Sequence, residues 1–232
     1  MAKDLASLSI LIPTYNDQDT IETEIEEAAV IGRRVSEKLE ILVINDASTD
    51  KGDIILKRLT RKIRELKITT HIKNRGYGQT IKELYTSAKC EWIFTTPGDY
   101  QIPPTEIMKL IPFTAQADMI IGWRVNRHDP PARLRQSLIY NILLKMLYGL
   151  DLHDINSVRL MRSKIIKNIR LTTTSAFVDA ELVIDAKRAG YRVIEKPIGH
   201  RARGQEAGAG GGKLKTILPV VKEMILYRIR GT

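Results

Sequence analysis

The chain has 232 residues, 43% of them hydrophobic and 28% charged, with a formal net charge of +10. That length suits one α/β domain with at most a short appendage, and the composition excludes a collagen, a long disordered chain and a disulfide scaffold. Residues 1–100 carry 15 Lys/Arg against 16 Asp/Glu and residues 101–232 carry 22 against 11, so the whole excess lies in the second part. Residues 7–13 form a short apolar run that reads as a buried strand, followed by a helix over 19–39 with acids in its first turns. Residues 40–45 read as a second strand, which ends in the polar cluster Asp46 to Asp50. A helix to about residue 65, a strand over 68–72, the turn-rich stretch 74–78 and a helix to residue 88 follow. Residues 92–96 are a fourth strand, broken by Pro97-Gly98.

Strand–helix alternation with short connections indicates a parallel sheet covered on both faces, with ligands bound at the carboxyl ends of the strands. Thr14-Tyr15-Asn16, Asp46 to Asp50, and Gly98 to Gln101 occupy those ends and are expected to converge on one crevice. Further on, residues 104–111 read as a helix, 118–123 as a strand, 124–135 as an arginine-bearing loop, and 137–150 and 177–189 as helices. Residues 191–196 read as a strand. Residues 204–212 hold five glycines and read as a mobile loop. Residues 213–230 read as a basic amphipathic helix kinked at Pro219.

The single cysteine, Cys90, fits a reducing compartment. Nothing at the start reads as a signal peptide, and the apolar-rich segment 137–150 is too short to span a bilayer. The basic second half implies an anionic partner: phosphorylated ligand, membrane surface or nucleic acid. Its sparse aromatics speak against stacking on single strands. Asp99 and Gln101, two residues apart after a strand, suit a hard cation such as Mg²⁺ or Mn²⁺, and equally suit a plain turn. Asp46 suits a ribose or base edge, or a helix cap. Arginines at element ends suit bidentate phosphate contacts. Ser/His/Asp, zinc and P-loop patterns are absent.

The order of these motifs resembles a known family. ILIPTYND, VINDASTD, NRGYGQT and TTPGDYQIPP are similar to the successive motifs of family 2 glycosyltransferases with the GT-A, nucleotide-diphospho-sugar transferase fold. IIGWRVNRHDPPARLRQS, LYGLDLHDINSVRLMR and AFVDAELVIDAKRAGYRVIEKPIGHRAR resemble its dolichol- or polyprenyl-phosphate sugar transferase branch. The resemblance implies one GT-A domain over residues 1–203 with a mostly parallel sheet, the loop 204–212 and the helix 213–232. It implies that Pro13, Thr14, Tyr15, Asn16, Asp46, Gly76, Gly98 and Asp99 bind a UDP- or GDP-sugar. Asp99 and Gln101 then hold Mg²⁺ or Mn²⁺, and Arg124, Arg135, His200 and Arg203 meet phosphates of the donor or of a polyprenyl phosphate. Asp99, Glu181, Arg124 and Arg135 form the catalytic set, with Glu181 or Asp179 as base if the acceptor is a hydroxyl.

One departure stands out: the first aspartate of the family's Asp-x-Asp motif is Pro97, which cannot ligate a metal. The implied reaction is an inverting transfer to a lipid phosphate by a cytoplasmic protein, peripheral on the membrane, whose C-terminal helix meets an anionic surface or packs on the domain or a partner subunit. The alternatives are a soluble transferase acting on a hydroxyl and a non-catalytic nucleotide-sugar or nucleic-acid binder.

Overall fold

The computed structural model describes residues 3–127, 129–202 and 214–230. A seven-stranded sheet runs in the order β3-β2-β1-β4-β6-β5-β7. Its strands are β1 (Leu5–Thr14), β2 (Ser36–Asn45), β3 (Leu66–Thr70), β4 (Trp92–Thr95), β5 (Met119–Arg124), β6 (Arg159–Arg162) and β7 (Val193–Ile198). All are parallel except β6, which runs antiparallel between β4 and β5. Alternate side chains feed two separate cores. Leu8, Ile10, Ile12, Ile41, Val43 and Phe94 face one layer, whereas Leu11, Leu42, Ile44, Ile93, Met119 and Met161 face the other. The period of two along each strand makes this division automatic.

Helices α1 (Ile21–Val35) and α2 (Gly52–Leu59) cover the first face. Helices α3 (Tyr77–Ser87), α4 (Pro131–Tyr148), α5 (Lys164–Asn168), α6 (Val178–Arg188) and α7 (Leu214–Ile229) complete the chain, and residues from each of these five belong to the second core. α1 is shorter than its sequence pattern predicts. Ser36 turns extended at φ −127° and ψ 147° and pairs at once with Leu5, so helix passes into strand without a loop. α4 begins earlier than predicted, because Pro130 leads into Pro131 at its first position, where a missing N–H costs nothing.

α7 lies against the domain by one face. Met224 and Tyr227 are buried, and the Tyr227 ring meets Phe177 edge-on at 5.6 Å. The hydroxyl of Tyr148 donates to the Met224 carbonyl. Glu223 accepts bonds from the backbone and hydroxyl of both Thr174 and Ser175, at 2.6–2.9 Å. Within the basic amphipathic helix expected at 213–232, the described part packs by this face, and Leu218, Ile225, Leu226 and Ile229 are exposed. The glycine-rich loop 204–212 lies outside the described residues. No helix among the described residues is long and apolar enough to cross a membrane.

The turn that Glu223 holds presses on α3. A Cβ placed on Gly78 would lie 2.2 Å from the Thr174 carbonyl oxygen and 2.3 Å from that of Ser175. Gly78→Ala is expected to destabilise the protein by about 1–3 kcal/mol in chemical denaturation. The better helix propensity of alanine, worth about 1 kcal/mol in isolation, would emerge as a net gain only if that turn yields freely.

Candidate active site

Among the described residues four non-glycine residues have left-handed backbone, and each follows the carboxyl end of a parallel strand: Asn16 (φ 57°) after β1, Ala47 (φ 60°) after β2, Tyr100 (φ 55°) after β4 and Asn126 (φ 53°) after β5. Strain of this kind persists only where its surroundings enforce it, and here it marks one rim. The three polar clusters predicted to converge do so. The Asn16 Oδ1 accepts the Thr49 N–H at 2.8 Å and the Asn16 N–H donates to Ser48 Oγ at 3.0 Å. Asp17 accepts the Thr14 hydroxyl at 2.9 Å and the Tyr15 N–H at 3.0 Å. A Cβ on Gly98 would stand 2.9 Å from Asp17 Oδ2 and 3.0 Å from Thr14 Oγ1, so the β4 turn nests against the β1 turn only as glycine. Pro13 joins the contact by accepting the Gly98 N–H at 3.3 Å, and Tyr15 stands exposed at the rim.

Asp46, expected to meet a base or ribose, has a first task inside the fold. Its carboxylate accepts the N–H groups of Arg75 and Gly76, both at 2.8 Å, and lies 2.7 Å from His71 Nδ1. The other ring nitrogen of His71 is 3.0 Å from Glu83. Gly76, at φ 82°, thus enters α3 with its backbone tied to β2.

The turn after β4 carries Asp99, whose Oδ1 accepts the Gln101 N–H at 3.2 Å. Gln101 is buried and its carbonyl accepts the Arg201 N–H at 2.8 Å. Pro97 offers no ligand, and no group of three or more His, Cys, Asp or Glu able to hold a metal occurs among the described residues. Asp99 alone fits a Mg²⁺ or Mn²⁺ ion that takes substrate phosphates as further ligands, and does not fit an ion caged by protein alone.

Beneath this turn Glu24 is fully buried. Thr96 Oγ1 lies 2.8 Å from Glu24 Oε1 and 3.1 Å from the Ile102 carbonyl. Thr96 is the donor in both contacts, and Glu24 Oε2 makes no hydrogen bond among the described residues. Burial first, then the charges of Asp99, Glu27 and Asp17, pushes the Glu24 carboxyl well above its usual range, in agreement with a neutral acid.

On the far side of the rim, Arg124 is gripped by buried Asp154 through Nε at 2.6 Å and Nη2 at 2.8 Å. Arg127 and Arg133 converge on buried Asp129, at 2.7 Å and 3.4 Å. Burial lowers the Arg124 pKa, but the bond to Asp154 and the charges of Asp154, Asp129 and Asp99 prevail and hold it above the ordinary guanidinium value. Arg135 is exposed on α4. His200, expected as a basic phosphate contact, is instead buried. Burial and then the Arg124 guanidinium lower its pKa below the ordinary imidazole value, so it is neutral at physiological pH. Arg203 lies outside the described residues.

The two carboxylates of α6 are both engaged. Glu181 is fully buried and accepts four bonds, from the backbone and hydroxyls of Thr172 and Thr173. This clamp, and not an open catalytic position, is where the structure places it. Asp179 is paired with buried Arg159 at 2.9 Å and receives the Tyr77 hydroxyl at 3.0 Å. Against the cost of burial, Asp179 holds the Arg159 guanidinium above its ordinary pKa. Arg127, Asp129, Arg159 and Tyr77 were not singled out for these contacts in the sequence. The only signals for them are the arginine-rich segment before Pro130 and the tyrosine inside NRGYGQT.

Glu24→Gln tests the buried acid. The folded pKa of Glu24 is raised, so its stability contribution is complete below the unfolded pKa and is lost as pH rises toward the folded one. The variant should match the wild type in melting temperature near pH ~4 and exceed it increasingly toward pH ~8. A constant difference across that range would mean that Glu24 is ionised in the fold.

Residues 9–170 match the model of "Glycosyl transferase family 2". Undecaprenyl-phosphate 4-deoxy-4-formamido-L-arabinose transferase of Edwardsiella ictaluri is 28% identical over 206 residues, which cover 87% of this chain and 62% of that one. The protein of that name from Pectobacterium carotovorum is 29% identical over 157 residues, 66% of this chain and 48% of the relative. The chain thus spans between about half and three fifths of these relatives' length. Glucosyl-3-phosphoglycerate synthase of Mycobacterium tuberculosis, solved with Mn²⁺, UDP-glucose and phosphoglyceric acid, superposes with a TM-score of 0.73 at 15% identity, over 96% of this chain and 79% of that one. This last likeness speaks for the GT-A fold alone. With its crevice at the carboxyl ends of β1, β2, β4 and β5 and a family match over most of its length, the chain belongs to glycosyl transferase family 2.

Proposed function

We propose that the chain transfers a sugar from a nucleoside-diphosphate sugar, a UDP-sugar, to the phosphate of a polyprenyl phosphate. The observation that carries this reading is the engagement of both α6 carboxylates. Glu181 is saturated by four donors and Asp179 is held by Arg159 and Tyr77. Neither stands open to take a proton from a hydroxyl. A phosphate acceptor is already ionised near neutral pH and needs no such base. The names of the relatives, which act on undecaprenyl phosphate, support the acceptor class, and the UDP and Mn²⁺ of the structural neighbour support the donor and the ion.

In this reaction the acceptor phosphate oxygen attacks the anomeric carbon of the sugar. The bond from that carbon to the diphosphate breaks, and its electron pair leaves on the nucleoside diphosphate. Asp99, with Gln101 beside it, would hold a divalent ion on the diphosphate, where the ion supplies neutralisation of the leaving charge. Arg124, oriented by Asp154, supplies a fixed positive charge across the crevice. The loop at Thr14–Asn16, together with Asp46 and the Gly76 turn that it holds, forms the wall for the nucleotide. Asp99→Ala should abolish Mn²⁺-dependent UDP binding in calorimetry and lower turnover by about 100-fold or more. Turnover at the wild-type level would remove the ion from Asp99.

The lipid also needs a surface. α4 has no acidic residue and exposes Leu138, Ile139, Ile142 and Met146, and neighbouring α7 exposes Leu218, Ile225 and Ile229. Apolar side chains among cations suit an anionic membrane. Flotation with anionic liposomes should carry the protein upward, and Met146→Glu should reduce that fraction. Transfer to a soluble saccharide with no response to lipid phosphate would instead favour the hydroxyl-acceptor reading.

A further inference from the structure

We propose that Asp129 is a positioning residue that stands in for the acceptor phosphate: it gathers Arg127 and Arg133 around one carboxylate and is exchanged for phosphate oxygens when the acceptor binds. The exchange takes its ligand from the phosphate acceptor proposed above. Three donor atoms meet this carboxylate. Arg127 brings Nε at 2.8 Å and Nη2 at 2.7 Å, both onto Oδ2. Arg133 brings Nη1 to 3.4 Å from Oδ1, an oxygen that makes no hydrogen bond among the described residues. The carboxylate is thus fully used on one oxygen and loosely held on the other. A phosphomonoester offers three acceptor oxygens and a charge of about −1.5 to −2, a closer match to three donors from two guanidinium groups.

The local electrostatics call for more negative charge than one carboxylate gives. Asp129 comes just before α4, whose first turn holds no acid and carries Arg133. A cation at the positive end of an 18-residue helix is the reverse of the favourable arrangement. Asp129 is almost fully buried. Burial opposes its ionisation, but the Arg127 bond and the charges of Arg133, Arg127 and Arg124 prevail and hold its pKa below the usual range. Arg127 keeps its position without Asp129, since Nη1 also donates to Ser137 Oγ at 2.9 Å and lies 3.9 Å from Asp154. The Arg133 side chain is 34% exposed, so solvent reaches this edge of the group. The carboxylate therefore assembles the phosphate site in advance and competes with the ligand for it.

Asp129→Asn removes the competing charge and keeps the shape. The probe is farnesyl phosphate, with farnesol as the uncharged control, in calorimetry. The variant should bind farnesyl phosphate about 5-fold tighter or more, with farnesol unaffected. A merely structural role for Asp129 predicts weaker binding, and weaker, equal or absent binding in a folded variant overturns the exchange. If the variant fails to fold, the wild type decides: the Nε–H resonance of Arg127, identified by its loss in Arg127→Lys, should shift on adding farnesyl phosphate, and an unmoved resonance overturns the exchange. Transfer assays separate the two readings. Tightening without any transfer to polyprenyl phosphate leaves the exchange standing and the functional reading fallen. Transfer without tightening does the opposite.

Discussion

The rim of this protein is held by carboxylates that accept backbone N–H groups. Asp17 closes the turn after β1, Asp46 ties down residues 75 and 76, and Asp50 accepts the Gln18 N–H. Glu106 takes the Gly199 N–H after β7, and Glu195 takes those of His153 and Asp154. Loops at strand ends leave donors without ladder partners, and an ionised acceptor satisfies them with bonds stronger than a neutral one makes. Left-handed Asn16 and Ala47 are sustained by this bracing.

Two kinds of buried ion pair divide the labour around that crevice. Arg159–Asp179, under Tyr77, has no open side, and its value lies in fixing how α6 meets β6. Arg124–Asp154 and the Arg127–Asp129–Arg133 group sit at the mouth, with the guanidinium of Arg133 partly in solvent. Breaking a buried pair leaves an uncompensated charge, and the cost falls where a guanidinium keeps contact with solvent, as Arg133 does. The first group is therefore architecture and the second is suited to ligand traffic.

The strand-end clusters were legible because a parallel sheet places its carboxyl ends on one edge, so Thr14, Asp46 and Gly98 had to meet. β6 was not legible. Four residues, two of them arginines, give no apolar run, and Arg159 is buried only because Asp179, twenty positions later, neutralises it. The depth of Glu181 and His200 was not legible for a related reason. A carboxylate and an imidazole near a crevice read as chemistry until the Thr172–Thr173 donors and the depth of the His200 site are known. The extent of α1 failed at Ser36, where no sequence signal marks a helix that passes straight into a parallel strand. Pro97, by contrast, kept its meaning: it leaves Asp99 as the turn's one carboxylate.

The bonds from Glu223 to Thr174 and Ser175 have a mechanical meaning. That turn rests on Gly78 in the first turn of α3 with no room to spare, and α3 begins at the loop that Asp46 secures. α7 thus packs on a turn that lies against the first turn of α3 at the crevice wall. The outer surface of the last helix and the loop at Gly76 are joined by an unbroken run of contacts, from Glu223 to Thr174 and Ser175 and from that turn to Gly78.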